Sequence, residues 1–164
     1  MLADLPRTTI QVAKNQQFTL TESGIYVFEM VQAGVELQVV GFFQAVGKEK
    51  KEVQVIIHHM VAHTKATTLL KGTADDSARV SFTGRIIIDP NCPDTNSFLT
   101  ERILLLSDTA QAETVPDLEI ESDDVKCSHA ASISRIPEEH IFYLMSRGIS
   151  RKESQAMIVE GFLA

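Results

Sequence analysis

Through residue 136 the chain is a run of short segments rich in β-branched residues, separated by polar turns. Helical periodicity is poor across this stretch, so an all-β body is the predicted architecture. Candidate strands fall at 9–13, 17–20, 25–31, 36–43, 53–61, 66–71, 79–89, 103–106, 117–120 and 132–136. Residues 72–77 read as a turn carrying two aspartates, and Asp89-Pro90-Asn91-Cys92-Pro93-Asp94 is a strong loop signal. Strand starts recur about every ten residues without a definable sequence repeat. A sandwich, a jelly roll and a β-helix all satisfy that pattern. In a β-helix each rung satisfies its backbone groups on the next, so the repeats need not be identical.

The tail obeys a different period. Pro137-Glu138-Glu139 fits a helix start, because proline costs no hydrogen bond in the first turn and acids suit the positive end of the dipole. Ile141, Phe142, Leu144 and Met145 supply an apolar stripe, and Gly148 can end the helix. Ser150-Arg151-Lys152-Glu153 has the spacing of a capping box. Ala156, Met157, Ile158 and Val159 then continue an apolar face to Phe162 and Leu163. The predicted organisation is a lead-in or first rung over 1–19, a β-body over 20–136 and two short helices over 137–164. The helices can pack on the body or present an apolar face to a partner.

Composition narrows the function classes. At 164 residues, 44% apolar and 23% charged, the chain has the make-up of one folded domain. No run approaches the roughly 18 apolar residues of a membrane span, and no basic leader precedes a long apolar stretch. The expected location is the cytoplasm. A formal net charge of -7 runs against nonspecific nucleic-acid binding, and neither a membrane nor a nucleic acid is an expected partner. The two cysteines, Cys92 and Cys127, form no CxxC pair and are expected as free thiols. The eight glycines form no phosphate-binding loop, and no serine elbow is present, so an ordinary metabolic enzyme is not expected.

Two clusters could carry chemistry. Cys127 and His129 stand two apart, so on an extended segment both side chains point the same way. A thiolate and an imidazole can share iron or zinc if the fold supplies further ligands. His58, His59 and His63 form the second cluster. On one continuous strand His59 and His63 would share a face, a spacing suited to a mononuclear metal site in a β-fold enzyme. A packed or hydrogen-bonded role is the plainer reading of both clusters.

Specific motifs occupy the C-terminal third. Leu104-Leu105-Leu106-Ser107 is followed by Pro116-Asp117-Leu118-Glu119-Ile120 and then by Asp123-Asp124-Val125-Lys126-Cys127-Ser128-His129. Phe142-Tyr143-Leu144-Met145-Ser146-Arg147-Gly148-Ile149 comes next, and Phe82-Thr83-Gly84-Arg85-Ile86 lies upstream. In this order they resemble the SufB/SufD family, the scaffold subunits of the SUF iron–sulfur cluster assembly system. The Cys127-Ser128-His129 form is similar to the SufD branch, and the resemblance covers about residues 20–163.

The resemblance implies a right-handed parallel β-helix, truncated relative to the family, with a small C-terminal two-helix segment. It implies a non-catalytic scaffold subunit that pairs with a SufB-like or second SufD-like chain, as a homodimer or heterodimer. A SufC-like ATPase would dock on the helices, through Phe142, Tyr143, Arg147 and Gly148 on the first side and Ile149, Met157 and Phe162 on the second. No stably bound cofactor is expected; iron or a nascent iron–sulfur cluster would be held transiently at a subunit interface. His129 and Cys127 would contact it, with Glu101 a more remote candidate ligand. Two departures qualify this picture. Ala130 stands where SufD-like chains usually carry glycine, so the rung there is expected to differ slightly. Glu101 stands where the SufB branch has a functional cysteine, and a carboxylate cannot accept persulfide sulfur. A structural or regulatory ATPase-binding protein without cluster chemistry is therefore the second reading, and the stand-alone metal enzyme is the third.

Overall fold

Ten strands precede two helices in the computed structural model, which describes residues 5–164. The strands are β1 (Arg7–Val12), β2 (Gln16–Leu20), β3 (Gly24–Met30), β4 (Glu36–Ala45), β5 (Lys50–His59), β6 (Lys65–Ala74), β7 (Arg79–Ile88), β8 (Thr95–Leu105), β9 (Gln111–Ile120) and β10 (Val125–Arg135). The helices are α1 (Glu138–Ser146) and α2 (Arg151–Leu163). Odd strands form one five-stranded sheet in the order β1-β3-β5-β7-β9; even strands form the other, β10-β8-β6-β4-β2. Every pairing is parallel. The chain thus winds as a parallel β-helix of two-strand rungs and carries the short helical segment at its end. The part of the expected lead-in at residues 1–4 lies outside the described residues.

Period-two alternation builds the interior. Leu37, Val39, Phe43 and Ala45 of β4 turn inward, as do Val53, Val55, Ile57 and His59 of β5, and the intervening residues are more exposed. From β3 onward register repeats at nearly constant offset. Lys50 pairs with Arg79, 29 positions on, and Arg79 pairs with Gln111, 32 positions on. Glycine opens space for large neighbours: a Cβ on Gly72 would lie 2.8 Å from Val80 Cγ1 and 2.9 Å from Phe82 Cζ. The rings of Phe43 and Phe82 meet edge to face at 5.5 Å across the interior.

The corners also stack. Gly34, His63, Asp94 and Asp124 all adopt positive φ. They are joined by backbone bonds from Gly34 N–H to His63 O at 2.8 Å, from His63 N–H to Pro93 O at 3.0 Å and from Asp94 N–H to Asp124 O at 2.9 Å. The left-handed turns therefore satisfy their own backbone groups rung upon rung.

Several strands run longer than their apolar runs suggest. β6 continues to Ala74, through residues expected as a turn, and β8 begins eight residues before the apolar run at 103–106. Neighbouring strands extend these segments, because polar residues such as Thr73 and Ser97 are buried beside partners on both sides.

At the tail, Pro137 is the N-cap of α1 with extended backbone, so it precedes the first helical residue instead of occupying it. Gly148 ends α1 in the left-handed region at φ 84. The Ser150–Glu153 capping box forms in full. Glu138 and Arg151 clamp the starts of the two helices with contacts of 2.6 and 3.0 Å. No described helix is long and apolar enough to cross a membrane.

Candidate functional site

Strand β10 lies at the edge of its sheet and β9 at the edge of the other, so together they make the last rung. In β9 the motif Pro116–Ile120 divides by alternation. Asp117 and Glu119 face outward and pair with Arg85, while Leu118 and Ile120 continue the inward columns of Ile86 and Ile88. With no further rung among the described residues, Leu118, Ile120 and Ile133 stay exposed at the end of the solenoid. The last rung therefore joins two unpaired backbone edges to an uncapped apolar interior.

Cys127 and His129 share the inward face of β10, as their spacing predicts. Cys127 pairs in register with Ser97, and His129 with Leu99. Cys127 is half-buried, and burial pushes its thiol pKa up, so the resting form is the neutral thiol. The His129 side chain is only 2% exposed and meets Glu101, whose side chain is 0% exposed, with Nε2 3.4 Å from Oε2. That separation is in ion-pair range without the alignment of a hydrogen bond, and both carboxylate oxygens and both ring nitrogens lack hydrogen-bond partners. So many unsatisfied buried polar atoms in one place are costly and call for an explanation beyond packing.

Gly84 makes this arrangement possible. A Cβ there would stand 2.6 Å from His129 Cε1, 2.8 Å from Glu101 Oε1 and 2.8 Å from Leu99 Cδ2. The glycine inside an otherwise regular strand was the available sequence signal, since such a residue marks close approach by a neighbour. Ala130 sits exposed in β10 and is absent from the positive-φ positions, so alanine there needs no special backbone.

The three histidines of the second cluster diverge. β5 ends at His59, and His63 lies in the following corner, so the two do not share a face as expected. His58 points outward and bonds Asp89 at 2.7 Å; His63 pairs with Asp94 at 3.1 Å on the exposed corner. His59 points into the interior. The Thr64 hydroxyl donates to Val61 O at 3.2 Å and so accepts from His59 Nδ1 at 2.8 Å, which leaves Nε2 bare. Burial, with a smaller contribution from His58, lowers the His59 pKa to about 4. Cys92 is buried nearby, its Sγ 3.8 Å from the His59 carbonyl, and both cysteines are free thiols. Among the described residues no three His, Cys, Asp or Glu side chains gather as a ready metal site.

The helices present a second surface. Phe142 is 74% exposed, and Tyr143, Met145 and Met157 are also exposed, whereas Ile141 is the buried side chain of α1. An open groove of about 550 Å³ runs past Gly148, Ile149, Ala156 and Met157. Arg147 folds back over the Tyr143 ring. Phe162 faces the body instead, between Lys71 at 5.9 Å and Arg102 at 5.7 Å from the ring centroid, and Lys71 Nζ donates to Ala164 O at 2.6 Å. Neither cation was singled out in the sequence as a seat for the helix, because nothing local ties residues so far apart.

Comparison with known proteins agrees with this architecture. The family described as SUF system FeS cluster assembly, SufBD core domain, matches residues 8–162. The chain is 37% identical over 119 residues to the iron–sulfur cluster assembly protein SufD of Escherichia coli, covering 73% of this chain and 28% of that protein. It is 34% identical over 118 residues to SufD of Bacillus subtilis, covering 72% and 27%. It is 30% identical over 137 residues to an iron–sulfur cluster assembly SufBD family protein of Mycobacterium leprae, covering 79% and 35%. The chain spans about a quarter to a third of the length of these relatives. A parallel β-helix with this motif order, matched across nearly its whole length, belongs to the SufBD core-domain family of the SUF iron–sulfur cluster assembly system.

Proposed function

We propose that the chain is a non-catalytic scaffold subunit in iron–sulfur cluster assembly and that the last rung is where it meets its cargo. The observation that carries this reading is the pairing of a thiol and an imidazole, Cys127 and His129, on the inward face of an edge strand beside an uncapped end. A second scaffold chain, SufB-like or SufD-like, would pair with the edges of β9 and β10 and cover Leu118, Ile120 and Ile133. Iron or a nascent cluster would then be held transiently between the chains. Thiolate binds iron strongly, but the raised Cys127 pKa means that its proton must leave first. The exposed face formed by Phe142, Tyr143 and Met157, with the groove at Gly148 and Ile149, has the apolar character of a docking site for a SufC-like ATPase. Phe162 would support that face from the side of the body, and Arg147 would join it over the Tyr143 ring.

Anaerobic purification from the native cells tests both halves. Co-purification of an ABC-type ATPase and a scaffold partner, with iron that falls when Cys127→Ser and His129→Gln are introduced, is the expected result. ATPase binding with iron content unchanged by either substitution would favour a structural or regulatory subunit. Recovery of the chain alone would sink the scaffold reading.

A further inference from the structure

We propose that Lys71 and Arg102, two residues of the solenoid, are the positioning residues of the helical surface. They grip Phe162, the grip keeps α2 folded, and opening it dissolves the groove beside Met157.

Left to itself, α2 is too weak to hold its shape. It has 13 residues, about the length at which an isolated helix is marginal in water. Its capping box secures the first turn, but no basic residue in the last turn complements the dipole. Most of its stability therefore comes from the face turned to the body. That face runs through Ser154, Ile158 and Phe162 at helical spacing, and only the smallest of the three is fully buried. Ser154 adds little, because its Oγ is buried without a hydrogen-bond partner.

The sheet supplies the cations that the helix lacks. β6 is the strand beneath α2. Alternation places Lys71 on the outer side of β6, where Lys65 and Thr67 are exposed, yet Lys71 is only 8% exposed. Arg102 stands beside it in register on β8. Among the described residues neither cation pairs with an acidic side chain, and like charges side by side repel. The Phe162 ring lies against both, and the Ala164 backbone oxygen, at the negative end of the helix, accepts from Lys71. Each side meets a need of the other: ring and helix end offset the repulsion, and the cations complete the helix end. Lys71 and Ala164 are 93 positions apart, so the fold of α2 depends on a distant rung of the body. The groove past Gly148, Ile149, Ala156 and Met157 is built on the same helix and persists only while the grip is closed.

The test is amide hydrogen exchange of the full chain, resolved along α2. Phe162→Ala should lower protection about 5- to 30-fold throughout α2, including the turn after Ser150, while β5 and β7 keep theirs. Lys71→Met keeps the length of the side chain and removes its charge; protection should fall about 2- to 5-fold. Lys71→Arg should restore most of it. A loss confined to the last turn in Phe162→Ala would mean simple fraying and overturn the proposal. Lys71→Met indistinguishable from the parent, or Lys71→Arg no better than Lys71→Met, would overturn it too. Lys71→Met leaves the solenoid interior untouched, so the test stands even if Phe162→Ala does not fold. The groove is the one assigned above to ATPase docking, but the measurement involves no partner, so this inference and that reading fail separately.

Discussion

Two stretches of the same interior are built on opposite terms. From Val12 to Phe82 the inward columns form one continuous apolar cluster, in which Phe43 and Phe82 lock across the lumen and Gly41 and Gly72 give them room. A second, smaller cluster is formed by Ile86, Ile88, Cys92 and Leu99, and polar groups take inward positions beside it: His59 on β5, Ser97 and Glu101 on β8 and His129 on β10. The backbone is the same parallel ladder in both stretches. What changes is whether inward side chains satisfy one another. The first region fastens the rungs together, and the second carries groups whose needs the fold does not meet.

The largest expected effect that separates the regions is at Phe82. Phe82→Ala should cost about 4 kcal/mol, seen as a lower urea midpoint, because it empties the packed side of the lumen. Next is pH. The His59 pKa falls from an ordinary 6.5 to about 4 in the fold, so the unfolded chain takes up the proton first. His59 should therefore cost no stability above pH 6.5, and roughly 3 kcal/mol should be lost as pH falls from there toward 4. His59→Gln should flatten that part of the curve, and an unchanged slope would show that the ring is not buried neutral.

A substitution at Glu101 should act in the reverse sense to Phe82. Glu101→Met should raise stability by about 1 kcal/mol, because it exchanges a buried carboxylate without a hydrogen-bond partner for an apolar chain of similar length. A loss of several kcal/mol would mean that the carboxylate is better satisfied than its surroundings imply. The smallest effect belongs outside the lumen. Ser150→Ala should weaken the start of α2 by about 1 kcal/mol, read as faster amide exchange in its first turn with the solenoid unaffected.

How legible these regions were follows from the range of the interactions. The capping box at Ser150, the stop at Gly148 and the alternation in β5 and β7 are local, and the sequence displays them openly. The division of strands between two sheets is not local. Only the family motifs distinguished a β-helix from a sandwich. The shared face of Cys127 and His129 follows from a spacing of two, but their partners lie on β7 and β8. The histidines bear out their plainer, hydrogen-bonded reading, but the shared face of His59 and His63 fails for a similar reason. Three imidazoles within six residues look like a set, yet the strand ends between them and each finds a different environment.

The corner column has a consequence for how such a chain can change its length over generations. Gly34, His63, Asp94 and Asp124 stack although the turns that hold them differ in size, and the register offset grows from 29 to 32 positions without disturbing the ladder. Residues gained or lost at a corner are absorbed there. A single residue gained within β8 would turn Glu101 outward and put Arg102 in the lumen, since one step reverses every face. Insertions and deletions are therefore tolerated at the corners and excluded from the strands, which erases any fixed numerical repeat while every rung keeps its place.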